Sequence, residues 1–299
     1  MFSIASLWIP FTLTAAMAQV ARNAMQRQLT GPLGTWGATN IRFLFGFPFS
    51  LMFFAIAVAA TGDTVPWPNA AFWPWLMLGA LCQILGTGLM LAAMNDRSFV
   101  VTIAYLKTEA IQTAIFGFVF LGDHLTVPKV IAIMIATGGV VITALRPGGA
   151  KGFADLRPTL LGLVSAAAFA LSATGFRGAI ITLSGVSFVT AATYTLVFGL
   201  FVQTLVLTVY LLLRAPGVLK AILRLWKPSM LAGFMGAFAS QFWYLAFALT
   251  AAANVRTLAL VEVLFAQGVA YYSFKQPLSA RELGGIALIV IGVALLVAV

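Results

Sequence analysis

The sequence predicts an all-α polytopic membrane protein whose ten transmembrane helices form two inverted five-helix repeats. Three observations carry this expectation. Hydrophobic residues fill 62% of the 299 positions and charged residues only 8%, far below the roughly 25% charged fraction of soluble domains. The apolar residues gather into ten runs, at about 4–26, 34–60, 70–93, 98–120, 126–145, 158–180, 186–213, 228–250, 254–274 and 279–298. Each run is near the length that crosses a hydrocarbon core as a helix. The second half also repeats the first: Glu109 and Glu262, like Leu125 and Leu278, stand 153 residues apart.

Continuous runs exclude a membrane β-barrel, which would show short alternating segments. They leave no room for a sizeable soluble domain. The first run lacks a basic flank and a clean cleavage site, so a removed signal peptide is not expected. The single cysteine, Cys82, lies inside an apolar run, and the single histidine, His124, lies in a Gly-Asp-His turn that reads as solvated. Together they exclude an internal disulfide and a metal ligand set, and no cofactor is expected. The formal net charge of +10 does not point to nucleic acid, because the basic residues stand singly at the ends of apolar runs, where membrane-interface residues sit. The bilayer is the expected partner.

The repeat is clearest between 101–142 and 254–296. Each copy is an apolar run carrying one glutamate, a short polar turn ending in Leu125-Thr126 or Leu278-Ser279, and a second apolar run. A weaker echo places FLFG at 43–46 on LVFG at 196–199, and Arg27 near Arg177. The loop RPGGAKGFADLRP at 146–158 breaks the pattern and divides the chain into a first repeat at 1–146, a linker at 147–157 and a second repeat at 158–299. Five is an odd number, so the two copies enter the membrane from opposite sides. Inverted repeats of this kind place the substrate site near the midplane, between the halves.

Charge supplies an orientation. The odd-numbered connections and helix ends carry twelve Lys and Arg, against three (Lys129, Arg177 and Arg256) on the even-numbered ones. The positive-inside rule then puts both termini outside. The segment TGDTVPWPNAAFW, with its tryptophans, one acid and no base, fits the outer interface.

A carboxylate at the centre of a membrane helix costs about 2.5–3.5 kcal/mol on insertion scales, so Glu109 and Glu262 need a partner, a cavity or a task. Tyr105, Thr108, Glu109 and Gln112 share one face of the fourth run at helical spacing, and such a polar stripe does not face lipid. Lys107 falls on another face, where it would snorkel or pair with a neighbouring helix. Two readings of Glu109 stay open, a structural interhelical pair and a cavity lining. In the first run Gln19, Arg22, Asn23 and Gln26 recur at helical spacing and could hydrogen-bond a solute, while Arg22 and Arg27, near a helix end, suit interfacial anchoring at least as well. Arg42 could hold an anionic group. Gln83, among Gly79, Gly86 and Gly88, marks close helix packing with one polar group turned inward. In the eighth run Gln241, Trp243 and Tyr244 offer polar and aromatic contacts. The candidate substrate-binding residues are therefore Gln19, Asn23, Arg42, Gln83, Tyr105, Glu109, Gln112, Gln241, Trp243, Tyr244 and Glu262.

The sequence resembles the drug/metabolite transporter superfamily, and within it the ten-helix EamA-type members. The resemblance rests on Asn40-Ile41-Arg42-Phe43, on FVFLGDHLTVPKVIAIMIATGGVVI at 118–142 with its Leu-Gly-Asp turn, and on the closing GGIALIVIGVALL. The second half departs from the pattern at Lys275-Gln276, and no proline stands beside Glu109 or Glu262. The resemblance implies a transporter of amino acids or similar metabolites, usually exporting, and it implies cytoplasmic termini, opposite to the charge bias.

The expected function is a secondary transporter that moves a small organic solute, zwitterionic and partly aromatic, across a bacterial inner membrane by alternating access. Uptake of a vitamin such as a flavin is the alternative. Without a phosphate-binding loop, the energy would come from a proton or other ion gradient, or from the solute's own gradient. An intramembrane lipid-modifying enzyme would need a catalytic constellation near one interface, and none is visible, so the protein is not expected to be an enzyme. A channel would need charge rings or a carbonyl filter. The expected state is a monomer or weak homodimer. Because polar residues crowd the first half, that half is expected to hold the solute's polar end, with Trp243 and Tyr244 covering its apolar part.

Overall fold

A computed structural model describes residues 4–96, 105–144, 156–265 and 280–298. Among these residues all regular secondary structure is helical, in keeping with the all-α expectation. The first helix, α1 (Trp8–Leu44), is two membrane crossings joined at Gly34, whose φ of 66° and ψ of 173° leave the helical region. Only glycine takes this backbone at little cost, and Pro32 stands two residues before it. The side-chain amide of Gln26 clasps the bend by donating to the Ala38 carbonyl at 2.9 Å. The first crossing therefore runs beyond the expected end at residue 26. Arg27 and Gln28, which resemble a loop in sequence, form its exposed last turns.

The second crossing continues through α2 (Gly46–Thr61). There follow α3 (Phe72–Asp96), α4 (Glu109–Leu121), α5 (Val127–Ala144), α6 (Leu156–Thr182), α7 (Phe188–Arg214), α8 (Pro216–Arg224), α9 (Trp226–Leu249), α10 (Ala252–Leu258) with a 3₁₀ turn at Ala259–Val261, and α11 (Ala280–Ala298). Six of the described helical stretches are long and apolar enough to cross a membrane, and the first, Trp8–Thr61, holds two crossings. With the shorter apolar α4 and α5 and the broken α10 segment, ten crossings result. The linker expected at 147–157 lies outside the described residues, apart from its last two positions, which open α6. Arg97, Arg146, Lys151 and Lys275 of the charge count also lie outside them.

One element was absent from the sequence reading. Between the seventh and eighth runs, where only a basic connection was expected, α8 lies along one end of the bundle. It buries Ile222 and packs Val218 and Leu219 with Leu29, Leu33 and Ile41 of α1, while Lys220 and Arg224 stay exposed. Nine residues fall below the window that a transmembrane search uses, and their hydrophobicity is confined to one face.

Helix pairing reveals the internal symmetry. The most extensive contacts join α3 to α6, the α1 hairpin to α9, and α5 to α11, with α2 on α7 and α4 on α10. Exchanging the two halves returns the same set of pairs. The pairs of counterparts are antiparallel: a Cβ at Gly139 would meet Gly285 and Ile289, whereas one at Gly292 would meet Ala136 and Ala132. Counterpart helices that run in opposite directions are the geometric content of an inverted repeat. Glycine permits this closeness, since a Cβ at Gly175 would sit 2.6 Å from the Gly79 backbone nitrogen.

One end of the bundle is tied shut by polar contacts between halves. The Ser187 N–H donates to Asp63 at 2.9 Å, the Thr61 and Thr190 hydroxyls meet at 3.2 Å, and Asn69 donates to the Thr182 carbonyl at 3.1 Å. Hydrogen bonds from the Ser187 and Thr190 hydroxyls and the Ser187 backbone hold the Asp63 carboxyl down at about 2. At the same end Arg177 of α6 pairs with Asp123 at 3.3 Å, in the turn after α4, and donates to the carbonyls of Phe247 and Thr250 at the end of α9. Gly122, at φ 67°, caps α4 and turns Asp123 into this contact.

Candidate solute site

Both copies of the repeated glutamate follow a break in the helix. In the first half Lys107 and Thr108 form a turn, with the Thr108 hydroxyl donating to the Tyr105 carbonyl at 2.7 Å, and α4 begins at Glu109. In the second half the 3₁₀ turn Ala259–Val261 immediately precedes Glu262. The two interruptions occupy equivalent places in the repeat. Neither contains proline, so threonine back-bonding and a tightened turn do here what proline does elsewhere.

The breaks let each half pair its acid or base with the other half. Lys107 forms an ion pair with Glu262, and Arg256 Nε approaches Glu109 Oε1 at 2.9 Å. In the latter pair the N–H is not aimed at the oxygen, leaving a charge contact without hydrogen-bond geometry. Arg256 is also held over the rings of Trp243 at 4.5 Å and Phe247 at 5.3 Å.

Lys107, Glu109, Trp243, Arg256 and Glu262 line one cavity together with Gln19, Arg22, Asn23, Arg42, Gln83, Met90, Leu106 and Phe169. Arg22 donates to Asn23 Oδ1 at 2.7 Å through Nη2, and Arg42 donates to the Thr87 hydroxyl at 3.1 Å and the Ser240 hydroxyl at 3.4 Å. The Trp243 indole N–H donates to Gln19 at 3.1 Å. Gln203 of α7 orients Gln83 with a 2.9 Å bond to its side-chain oxygen. The result is a polar chamber between the halves with apolar patches at Met90, Leu106, Phe169 and Trp243.

Of the candidates named from sequence, Gln19, Asn23, Arg42, Gln83, Glu109, Trp243 and Glu262 are brought together on this wall. Tyr105, Gln112, Gln241 and Tyr244 are not. Tyr105 packs against Gly162 of α6, because the turn at Lys107–Thr108 shifts its phase relative to Glu109. The amide of Gln112 donates to Thr108 within its own segment at 3.2 Å, and that of Gln241 to Thr193 of α7 at 2.8 Å. Tyr244 packs against Phe176 in the apolar core, the rings tilted and their centroids 4.7 Å apart. Of the two readings open for Arg22, solute contact and interfacial anchoring, the second does not hold: it is 2% exposed and lines the cavity. Arg256, counted in sequence among the bases of the even-numbered connections, is a site residue that the candidates did not include. Its repeat equivalent is Ile103, so internal comparison gives it no signal, and only an arginine inside VRTLALVE could have drawn notice. Lys107 takes the neighbouring-helix pairing anticipated for it. His124 is exposed, and among the described residues no group of three or more His, Cys, Asp or Glu could hold a metal ion.

The expected division of labour changes as well. Glu262, Arg256 and Trp243 make the second half a charged contributor rather than an apolar cover. Gln267, part of the contrast between halves, lies outside the described residues.

A search of curated proteins returned no significant match. A solved crystal structure, described only as that of a protein, superposes with a TM-score of 0.65 over 98% of this chain and 94% of its own, at 16% identity. That likeness speaks for the fold alone. Residues 6–145 match the model of the EamA-like transporter family. They cover nearly all of the first repeat expected from sequence, including Arg42-Phe43 and the Leu-Gly-Asp turn. The chain is thus a multi-pass membrane protein whose first half is similar to the EamA-like transporter family of the drug/metabolite transporter superfamily.

Proposed function

We propose that this protein exports a small zwitterionic metabolite, an amino acid or a close analogue with a partly apolar side group, across the bacterial inner membrane by alternating access. The observation that carries the reading is the central chamber, which holds acids and bases from both halves beside Trp243, Phe169 and Met90. A solute with an ammonium and a carboxylate complements such a wall, and its side group has an apolar patch to rest on. Lys107–Glu262 and Arg256–Glu109 join opposite halves, so a solute that inserts between them competes with the contacts that hold the halves together. Rocking of one half against the other needs bonds that can be exchanged in this way. If a proton is the coupling ion, Glu109 or Glu262 would carry it, since each is a buried carboxylate whose partner can be displaced.

Counterflow in proteoliposomes tests the proposal. Vesicles preloaded with unlabelled amino acids, aromatic and aliphatic in turn, should accumulate the labelled form of at least one, and an imposed pH gradient should alter the rate. Counterflow of riboflavin with no amino acid active would sink the amino-acid reading in favour of a vitamin.

A further inference from the structure

Inside the chamber the charges do not balance among the described residues. Four cationic side chains line it (Arg22, Arg42, Lys107 and Arg256), with two carboxylates (Glu109 and Glu262). Lys107 is matched with Glu262, and Arg256 with Glu109. Of the other described carboxylates, Asp63 and Asp123 serve the closed end, Asp96 ends α3 and Glu282 lies on α11. Arg22 and Arg42 remain, each 2% exposed; among the described residues their hydrogen bonds go to neutral groups alone, and Arg22 shares the charge of Glu109, already matched with Arg256.

The two arginines also lie together. A Cβ built on Gly236 of α9 would stand 2.8 Å from Arg42 Cγ and 3.6 Å from Arg22 Cδ, so both side chains pass over the one glycine. Arg22 Nη1 and Arg42 Nε are buried and without a hydrogen-bond partner. Two guanidinium groups side by side in a low-dielectric site repel each other and leave donors unmet, an arrangement that an oxyanion relieves on both counts. Resting on the reading of the chamber as the solute site, we infer that Arg22 and Arg42 form an oxyanion subsite over Gly236 that seats the carboxylate, or an equivalent anionic end, of the transported solute. Gly236 is then a specificity-determining position, since any side chain there displaces Arg42. The paired acids Glu109 and Glu262 line the same cavity and are left for the solute's cationic end.

Binding to the purified protein in neutral detergent tests the subsite without requiring transport. Benzoate is the probe, since its ring matches the apolar patch; benzamide is its uncharged counterpart, and inorganic phosphate a second oxyanion. Titration calorimetry should show saturable benzoate binding to the wild type, with benzamide at least about tenfold weaker, the factor expected for losing a charge-assisted hydrogen bond. Arg22→Gln, Arg42→Gln and Gly236→Ala should each weaken benzoate by a similar factor, whereas Arg27→Gln on the exposed end of the same crossing should not. Arg42→Lys, which keeps the charge and is the variant most compatible with folding, should fall between wild type and Arg42→Gln. Equal affinity for benzoate and benzamide, benzoate affinity unchanged by the arginine substitutions, or no saturable binding of benzoate or phosphate would overturn the assignment. So would displacement of benzoate by added phosphatidylglycerol but by no soluble anion, which would give the pair to a lipid headgroup. Benzoate binding that follows this pattern in a protein inactive in amino-acid counterflow would keep the subsite and reject the zwitterion reading.

Discussion

Glu109 resolves two readings into one side chain. It is an interhelical partner, through Arg256, and a lining of the cavity, because that pair is part of the wall. Removing one member of a buried ion pair strands the other charge, which typically costs about 3–5 kcal/mol, while replacing both is far cheaper. Glu109→Gln and Arg256→Gln should therefore each destabilise the purified protein, and the double variant should regain much of the loss. Thermal unfolding in detergent measures this, and strictly additive losses would show that the pair is not coupled. Both single variants and the double should lose transport, since the first two leave the wall miscompensated and the third removes the displaceable contact. Retained counterflow in the double variant would separate the pair from the transport cycle.

At the scale of elements, the tightest constraint lies between the last helices of the two halves. The α5–α11 contact admits no side chain at Gly139, where a Cβ would stand 2.6 Å from the Gly285 carbonyl oxygen and 2.8 Å from the Ile289 nitrogen. Its neighbour Gly138 has nothing within 4 Å of that position. Backbone cannot yield as a flexible side chain can, so Gly139→Leu is expected to separate the helices and cost at least the ~1–3 kcal/mol of an overpacked core. Size-exclusion chromatography of detergent extracts should show loss of the monodisperse peak for Gly139→Leu and its retention for Gly138→Leu. Equal behaviour of the two would mean that α5 and α11 are not packed through this face.

For the whole molecule, the membrane orientation sets two signals against each other. Charge places the termini outside, whereas resemblance to ten-helix relatives implies that they are inside. The inverted repeat itself is indifferent, since two halves of opposite direction fit either way. By the charge argument, the tied end with Asp63, Asp123 and Arg177 faces outward, and the basic α8 faces the cytoplasm. Single cysteines at Val65 and Lys220, both exposed, can be placed in a Cys82→Ser background. An impermeant thiol reagent applied to intact cells should label position 65 and spare 220. The reverse pattern would overturn the charge argument and make the tied end cytoplasmic.

Membrane character, all-α class, ten crossings and duplication were all determined by the sequence alone, because each is a one-dimensional property: run length against bilayer thickness, and a constant offset of 153 between like residues. So was the polar stripe of Gln19, Asn23 and Arg22, since an unbroken helix carries its periodicity in the sequence. Tertiary structure decided what depends on phase and partners. The turn at Lys107–Thr108 rotates Tyr105 away from Glu109, so periodicity could not be carried across it, and no proline announced the turn. Gln241 and Gln112 are polar residues in apolar helices that find local partners, which makes them indistinguishable in sequence from residues that face a cavity. Arg256 becomes a wall of the chamber only because α10 meets α4 antiparallel and sets it against Glu109. Which charges cancel, and therefore that Arg22 and Arg42 are left over, follows from distances between halves that no order of residues along one chain contains.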